Sequence, residues 1–359
     1  MKILIVKLSS LGDVLHTLPV VHDIRQALPD AQIDWVVEGA FAGVVRRCDG
    51  VNRVITYDLR TWRKAPFSSA TRTAWRACKA ALQQESYDAV IDLQGLTKSA
   101  WVAWMARLAP GGKRFAMANR TDGSAYEAPT RWVADVAIRL EAQIHAVQRG
   151  RDVCAQALGY GLTDFDRFHP SFGLLAGVNI ALSAINTVAI NDLKPTIVFA
   201  HGTSREDKLW PVSYWVALGQ RLNAQSFTVA LAHGNAAEEA RSQQIAQQLT
   251  NAVVWPRLGL EALLDALGSS AGVVGVDSGL SHMAVALNLP HVQIYNFDTA
   301  WRTGPVATGA NNNNDTRTSF ARQVSVYAQP SPSVDAVWQA WQTLQSVSSL
   351  STVIPTVAA

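Results

Sequence analysis

The chain has 359 residues, long for one hydrophobic core and comfortable for two, since single cores stop growing at roughly 250–300 residues. Hydrophobic residues make up 48% and charged residues 16%, which excludes a disordered chain. A formal charge of +3, from 31 Lys and Arg against 28 Asp and Glu, excludes a nucleic-acid binder of the kind that needs a concentrated basic face. Cys48, Cys78 and Cys154 are far apart, form no C-x-x-C pair and fit a reducing, cytoplasmic compartment.

In chain order, the apolar run at 1–6 is too short for an export signal, is cut by Lys7, and reads as a first strand. Short β-branched runs predict strands at 3–6, 33–37, 54–57 and 89–92, with amphipathic helices at 14–27, 69–84 and 97–108. The stretch 171–191 carries no charge, yet its Gly, Ser and Asn content argues for a linker and buried structure rather than a bilayer span. Alternation is lost over 159–193, which places a domain boundary near Phe172. The second half repeats the plan. Strands are predicted at 196–200, 228–232, 272–276 and 291–295, and helices near 211–223, 236–249, 260–267 and 278–287. The asparagine tract 311–314 predicts a polar loop, and 333–347 a last helix with Val337, Trp338, Trp341 and Leu344 on one face. Alternating strands and helices imply right-handed crossovers and parallel sheets, so the fold class is α/β with one architecture used twice. The expected division is 1–171, 172–329, a helix at 330–348 and a tail at 349–359.

Ligands of open parallel sheets sit beyond the carboxyl ends of the strands, where helix N-termini present unpaired N–H groups. Asp13, at the end of Lys7-Leu8-Ser9-Ser10-Leu11-Gly12-Asp13, would lie at such a mouth. From the residue alone, helix capping is the better reading. The helix dipole would lower its pKa and desolvation raise it. Neither G-x-G-x-x-G nor a P-loop signature occurs, which argues against a dinucleotide oxidoreductase. After the first strand of the second half, Thr203, Ser204, nearby amides and Lys208 suit a phosphate group, and suit a solvated polar loop equally well. Ser278 and Gly279, following another strand, would let a diphosphate approach the next helix, with Asp277 free to accept sugar hydroxyls. A lone His282 is more often structural, but these neighbours raise its interest. Arg60, Arg63 and Lys64 form either a solvated face or a receptor for a carboxylated or phosphorylated acceptor. No His, Cys, Asp and Glu set has metal-ligand spacing, and no metal is expected.

Several segments carry a resemblance in their order and spacing. They are Ser9-Ser10-Leu11-Gly12-Asp13 with its continuation to Pro19, Asp34-Trp35-Val36-Val37-Glu38, Trp62-Arg63-Lys64, and Asp92-Leu93-Gln94-Gly95-Leu96-Thr97-Lys98-Ser99. Asp207-Lys208-Leu209-Trp210-Pro211 and Val276-Asp277-Ser278-Gly279-Leu280-Ser281-His282 complete the set. Together, over residues 1 to about 305, the chain resembles the bacterial lipopolysaccharide heptosyltransferases, most of all their heptosyltransferase I type.

The resemblance implies a GT-B fold: two facing Rossmann-like domains, acceptor on the first and donor on the second, and a last helix crossing back to dock Trp338 and Trp341 on the first. It implies a metal-independent, inverting transfer of L-glycero-D-manno-heptose from ADP-heptose, a co-substrate, to a Kdo hydroxyl of Kdo2-lipid A, with no cofactor. By matching motif, Asp13 would be the general base and Lys208 the cation stabilising the leaving diphosphate. Thr203, Ser204, Ser278 and Gly279 would grip the diphosphate, Asp277 and His282 the donor, and Glu238 its ribose, with Leu258 also in the donor set. Ser10, Gly12, Arg60, Arg63, Lys64 and Gln94 would meet the acceptor. A monomer, peripheral on the cytoplasmic face of the inner membrane, is expected. Where the family often has a Gly-Pro-Thr-Asp loop, this chain has Asn296-Phe297-Asp298-Thr299, a departure in the donor half. Heptosyltransferase II or another GT-B transferase is the first alternative. A non-catalytic nucleotide-sugar binder is the second, and the presence of both Asp13 and Lys208 argues against it.

Overall fold

The computed structural model describes residues 1–176, 195–306 and 322–350. The tract 311–314, most of the uncharged stretch 171–191 and the tail from 351 lie outside the described residues. The chain divides into two compact units, Met1–Leu175 and Ala176–Ala359.

The first unit is built on six strands: β1 (Lys2–Val6), β2 (Gln32–Val37), β3 (Val51–Thr56), β4 (Tyr87–Asp92), β5 (Leu108–Met117) and β6 (Val136–Ile138). All pair in parallel, in the order β3-β2-β1-β4-β5-β6. Ile3 lies opposite both Ile33 and Ala89, and Ile3 through Val6 have no exposed surface. Burial of both faces explains why β1 is a continuous apolar run rather than an alternating one. β5 and β6 escape sequence patterning. β5 reads Leu-Ala-Pro-Gly-Gly-Lys-Arg before its apolar end, and pairing with β4 and β6 makes it a strand.

Two helix expectations change. The helix expected at 14–27 is two, Leu11–Thr17 and Pro19–Ala27. Pro19 has no N–H to continue the first and is suited to open the second. The helix expected to reach 108 stops at Met105. An unexpected helix, Ala146–Leu158, packs on both halves of the split pair and ends at Gly159, whose φ of +75° suits a left-handed cap.

The second unit repeats the order. Its strands are β7 (Thr196–Ala200), β8 (Thr228–Leu231), β9 (Ala252–Val254), β10 (Gly272–Val276), β11 (His291–Tyr295) and β12 (Gln323–Tyr327). They are parallel and run β9-β8-β7-β10-β11-β12 across the sheet. Ile197, Phe199, Trp215, Val274 and Ile294 anchor its core.

The last helix, Val334–Leu350, corrects an expectation. Val337, Trp341 and Leu344 are buried in this same core, with Trp338 packed against it. The Trp341 indole fills the space where any Cβ at Gly272 would stand, and its ring lies 6.2 Å from that of Phe227. The apolar stripe that was expected to dock on the first domain is therefore occupied within the second. The helix follows β12 after a short turn and covers β11 and β12, as a helix closing one more β-to-α step does.

Candidate active site

In each unit the strand order reverses direction beside its first strand, between β1 and β4 and between β7 and β10. Crevices at such switch points are where doubly wound sheets bind ligands.

In the first unit the segment leaving β1 is stitched to the one leaving β4. Gln94 Oε1 accepts from the amides of Leu8 and Ser9, both at 3.0 Å, so its carbonyl is committed to holding the crevice wall. Asp92 accepts from the amides of Gln94 and Gly95 at 2.9 and 3.2 Å and from the Ser99 hydroxyl at 2.9 Å. Burial nevertheless pushes its carboxyl up to about 6. Lys7 is buried, donates to the Leu93 carbonyl at 3.0 Å, and is pulled down to about 8 by desolvation.

Asp13 is not the N-cap. Ser10 holds that position, and Asp13 Oδ2 accepts from the Ser10 amide at 3.1 Å and its hydroxyl at 2.9 Å, the N3 half of a capping box. Oδ1 lies 3.8 Å from the Arg149 guanidinium, and the side chain keeps 38% of its surface exposed. Burial alone would raise the Asp13 pKa. The Lys7 charge, the Ser10 hydrogen bonds and Arg149 outweigh it and hold the carboxyl below its ordinary value. The carboxylate is thus tied at one oxygen by Ser10 and flanked at the other by Arg149, while the side chain stays partly exposed.

Glu38 joins two cations. Its oxygens meet Lys98 Nζ at 2.9 Å and Arg60 Nε at 3.1 Å, and Lys98 also donates to the Ser9 hydroxyl at 2.9 Å. Arg60, Arg63 and Lys64 are exposed, while Trp62 between them is buried edge-on to Tyr57 and Trp75. The cations therefore stand on an anchored turn. Ser10 and Gly12 sit at the start of the helix carrying Asp13.

The second unit gathers its polar groups around Asp277, at the end of β10. Lys208 Nζ donates to Asp277 Oδ2 at 2.6 Å, His282 Nε2 lies 3.2 Å from Oδ1, and the Thr203 hydroxyl donates to the Asp277 carbonyl at 3.1 Å. Burial would raise the Asp277 carboxyl, but His282 and Lys208 hold it far below the usual range. Ser278 caps helix Gly279–Ala286, accepting from the Ser281 amide. Gly275 is required in β10 because a Cβ would strike the Ser281 hydroxyl and Ala200. Glu238 opens helix Ala236–Ala246, accepts from the Gly234 amide at 2.7 Å, and lies where a Cβ of Gly202 would be. Ser204 is exposed on the loop after β7, and Leu258 is half-buried between β9 and the next helix. His201 is buried against the Ser242 hydroxyl at 2.8 Å, and burial lowers it to about 4, so it is neutral.

Sequence reading missed three residues. Arg149 and Lys7 place positive charge beside Asp13. Asn296, the unexpected residue after β11, donates to the carbonyls of Asp207 at 3.0 Å and Leu209 at 2.9 Å, one on each side of Lys208. The Ser331 hydroxyl donates to its Oδ1 at 3.0 Å and fixes its amide, while Arg205, ion-paired with Asp207, lies 5.7 Å from the Phe297 ring centre. The Asn296-Phe297 segment is thus the clamp on the lysine loop. The only available signal was the departure itself. Among the described residues no group of three or more His, Cys, Asp or Glu gathers as metal ligands would, and no helix is long and apolar enough to cross a membrane.

Comparison with known proteins places this arrangement. Residues 75–328 match the model of glycosyltransferase family 9 (heptosyltransferase). The chain is 37% identical over 316 residues to lipopolysaccharide heptosyltransferase 1 of Pseudomonas aeruginosa, covering 86% of this chain and 81% of that one. It is 38% identical over 299 residues to the Escherichia coli protein of the same name, covering 82% and 88%. Identity to lipooligosaccharide heptosyltransferase 2 of Haemophilus influenzae is 23% over 322 residues, covering 86% and 87%. The solved structure of E. coli heptosyltransferase WaaC with ADP superposes with a TM-score of 0.77 at 32% identity, over 94% of this chain and 98% of that one. Two parallel six-stranded sheets with a shared order match the GT-B architecture of these transferases, and the chain belongs to glycosyltransferase family 9, the heptosyltransferases.

Proposed function

We propose that this heptosyltransferase catalyses the heptosyltransferase I reaction, moving L-glycero-D-manno-heptose from ADP-heptose to a Kdo hydroxyl of Kdo2-lipid A with inversion. The observation that carries the structural side is the Lys208–Asp277–His282 cluster at the switch point of the second sheet. It sets an ammonium beside a capped helix start, the kind of preorganised positive site that stabilises a departing diphosphate. In this reading Lys208 leaves Asp277 in part to meet the diphosphate, with Thr203, Ser204, Ser278 and Gly279 orienting it. Asp277 and His282 then hold the heptose, and Glu238 and Leu258 the nucleoside.

Asp13 takes the acceptor proton. Its lowered pKa keeps it ionised through the neutral range, and exclusion of water as substrate binds restores basicity. Inversion needs base and leaving group on opposite sides of the anomeric carbon, and the two groups stand on separate units. Arg60, Arg63 and Lys64 receive the acceptor's anionic groups, and Ser10, Gly12 and Gln94 shape its seat. The reaction uses ADP-heptose as co-substrate and no cofactor, and the protein works as a monomer on the cytoplasmic side of the inner membrane, in peripheral contact with it. Greater likeness to heptosyltransferase 1 than to heptosyltransferase 2 supports this acceptor choice.

Incubation with ADP-heptose and Kdo2-lipid A, followed by mass detection, should yield an adduct one heptose heavier. Transfer only to an acceptor that already bears a heptose would instead assign the second reaction of the pathway.

A further inference from the structure

The first unit carries an aromatic surface to which heptosyl transfer assigns no role. Trp101 and Trp104, on helix Thr97–Met105, are 49% and 57% exposed with ring centres 5.0 Å apart. Trp132, on the adjoining helix Pro129–Val133, is 74% exposed. Trp101 and Trp104 line a shallow groove of about 400 Å³ with Trp75 of helix Ser69–Gln84, and Lys79 and Arg107 complete its polar wall. Exposed indoles grouped in this way mark an interaction surface rather than scattered surface apolarity.

The exposed charge around them is mainly positive, with Glu127 and Asp135 at its border bonded to the Thr97 and Arg114 amides. The segments 69–84, 97–117 and 129–133 contain three, four and one Lys or Arg respectively and no Asp or Glu, in a chain of net charge only +3. Lys98 and Arg114 are engaged internally, by Glu38 and by backbone carbonyls. Lys79, Arg76 and Arg107 are exposed. The groove also adjoins the proposed acceptor cations, since the Trp75 ring lies edge-on to Trp62, 5.7 Å away, in the turn that carries Arg60 and Arg63.

We infer that this face is the seat of the enzyme on an anionic bilayer, with the indoles at headgroup level and Lys79 and Arg107 against lipid phosphates. Tryptophan favours the membrane–water interface because its ring is apolar and its N–H is polar. Basic side chains beside it gain from the negative surface potential of anionic lipid. A second copy of the chain fits poorly, because a two-fold contact would press one positive face against another. The inference rests on the proposed lipid-linked acceptor, and gives that reading a surface and an orientation.

The test uses the full chain and vesicles without any substrate. It should co-sediment with vesicles of equal phosphatidylglycerol and phosphatidylethanolamine, bind pure phosphatidylcholine far less, and show a blue shift of tryptophan emission on binding. W101S/W104S should weaken partitioning by about tenfold or more, and K79E/R107E should do the same on anionic vesicles, with thermal unfolding unchanged. The charge-reversal pair alters only exposed side chains and decides the matter if the tryptophan variant fails to fold. A wild-type chain that ignores anionic vesicles, or variants that bind them equally well, would overturn the inference. So would a wild-type dimer that W101S/W104S turns into a monomer. Vesicle binding that persists while no heptose is transferred would count against the proposed reaction and not against this surface.

Discussion

The two units share a strand order and differ in what they hold at its break. At the first switch point Asp13 has, among the described residues, only a distant ion pair, 3.8 Å from Arg149. Lys7 and Asp92 are buried behind the wall, with pKa values displaced toward neutrality, while Asp13 remains partly exposed and is kept ionised by Lys7, Ser10 and Arg149. At the second, the charges are in direct contact, Lys208 on Asp277 and Asp277 on His282. The same scaffold therefore holds opposite arrangements: a half-exposed carboxylate flanked by cations, and an ammonium in contact with its counter-ion, which the proposed reaction would use as base and as diphosphate partner. Fold supplies the location of chemistry and local side chains supply its sign.

The sharpest way to break this comparison is to remove the available carboxylate. Asp13→Asn retains the capping geometry and should lower turnover by about 10²- to 10⁴-fold while leaving ADP affinity near wild type. Near-normal turnover would return Asp13 to its capping role alone. Lys208→Ala attacks the other side and should cost about 10²- to 10³-fold in kcat. If ADP affinity falls with no change in kcat, the lysine only binds.

Asn296→Ala should loosen both ends of the lysine turn and lower turnover by up to about 10²-fold, since small displacements at a reacting group are costly. Its helical content should be unchanged by circular dichroism, and wild-type kcat would reduce Asn296 to a fold contact. Charge reversal at Arg63 and Lys64 should raise the acceptor KM several-fold, on the order of the salt-sensitive terms of surface charge, and spare the donor. Equal acceptor KM values would mark these cations as solvated surface.

The smallest effect is a divergence of the two units with pH. His201 and His291 are buried and lowered to about 4, below the ordinary histidine value, so the second unit loses stability as pH falls from about 6.5 toward 4 and the unfolded chain takes up the protons. Asp92 is raised to about 6, so its contribution runs the other way and favours the first unit over the same fall. Hydrogen exchange, corrected for intrinsic rates, should show protection of β7 and β11 declining below pH 6 before that of β1 and β4. Simultaneous loss in both units would remove the contrast.

What sequence alone determined was the repeated α/β plan and the inner strands, because doubly buried strands such as β1 and β10 must be nearly pure apolar runs. The segments at their carboxyl ends were equally legible, since a parallel sheet leaves its ligand crevice there. Tertiary structure decided the rest. β5 became a strand through its neighbours in spite of Pro110 and its glycines, and Pro19 split a helix whose hydrophobic period continues across it. Trp341 was claimed by the bare backbone of Gly272, which no helical pattern reveals. Arg149 reached Asp13, and Asn296 reached the carbonyls on either side of Lys208, across sequence separations that local propensity cannot bridge. Patterns along a chain report which faces must be buried, whereas the partner of each polar group is set by where the crossovers return.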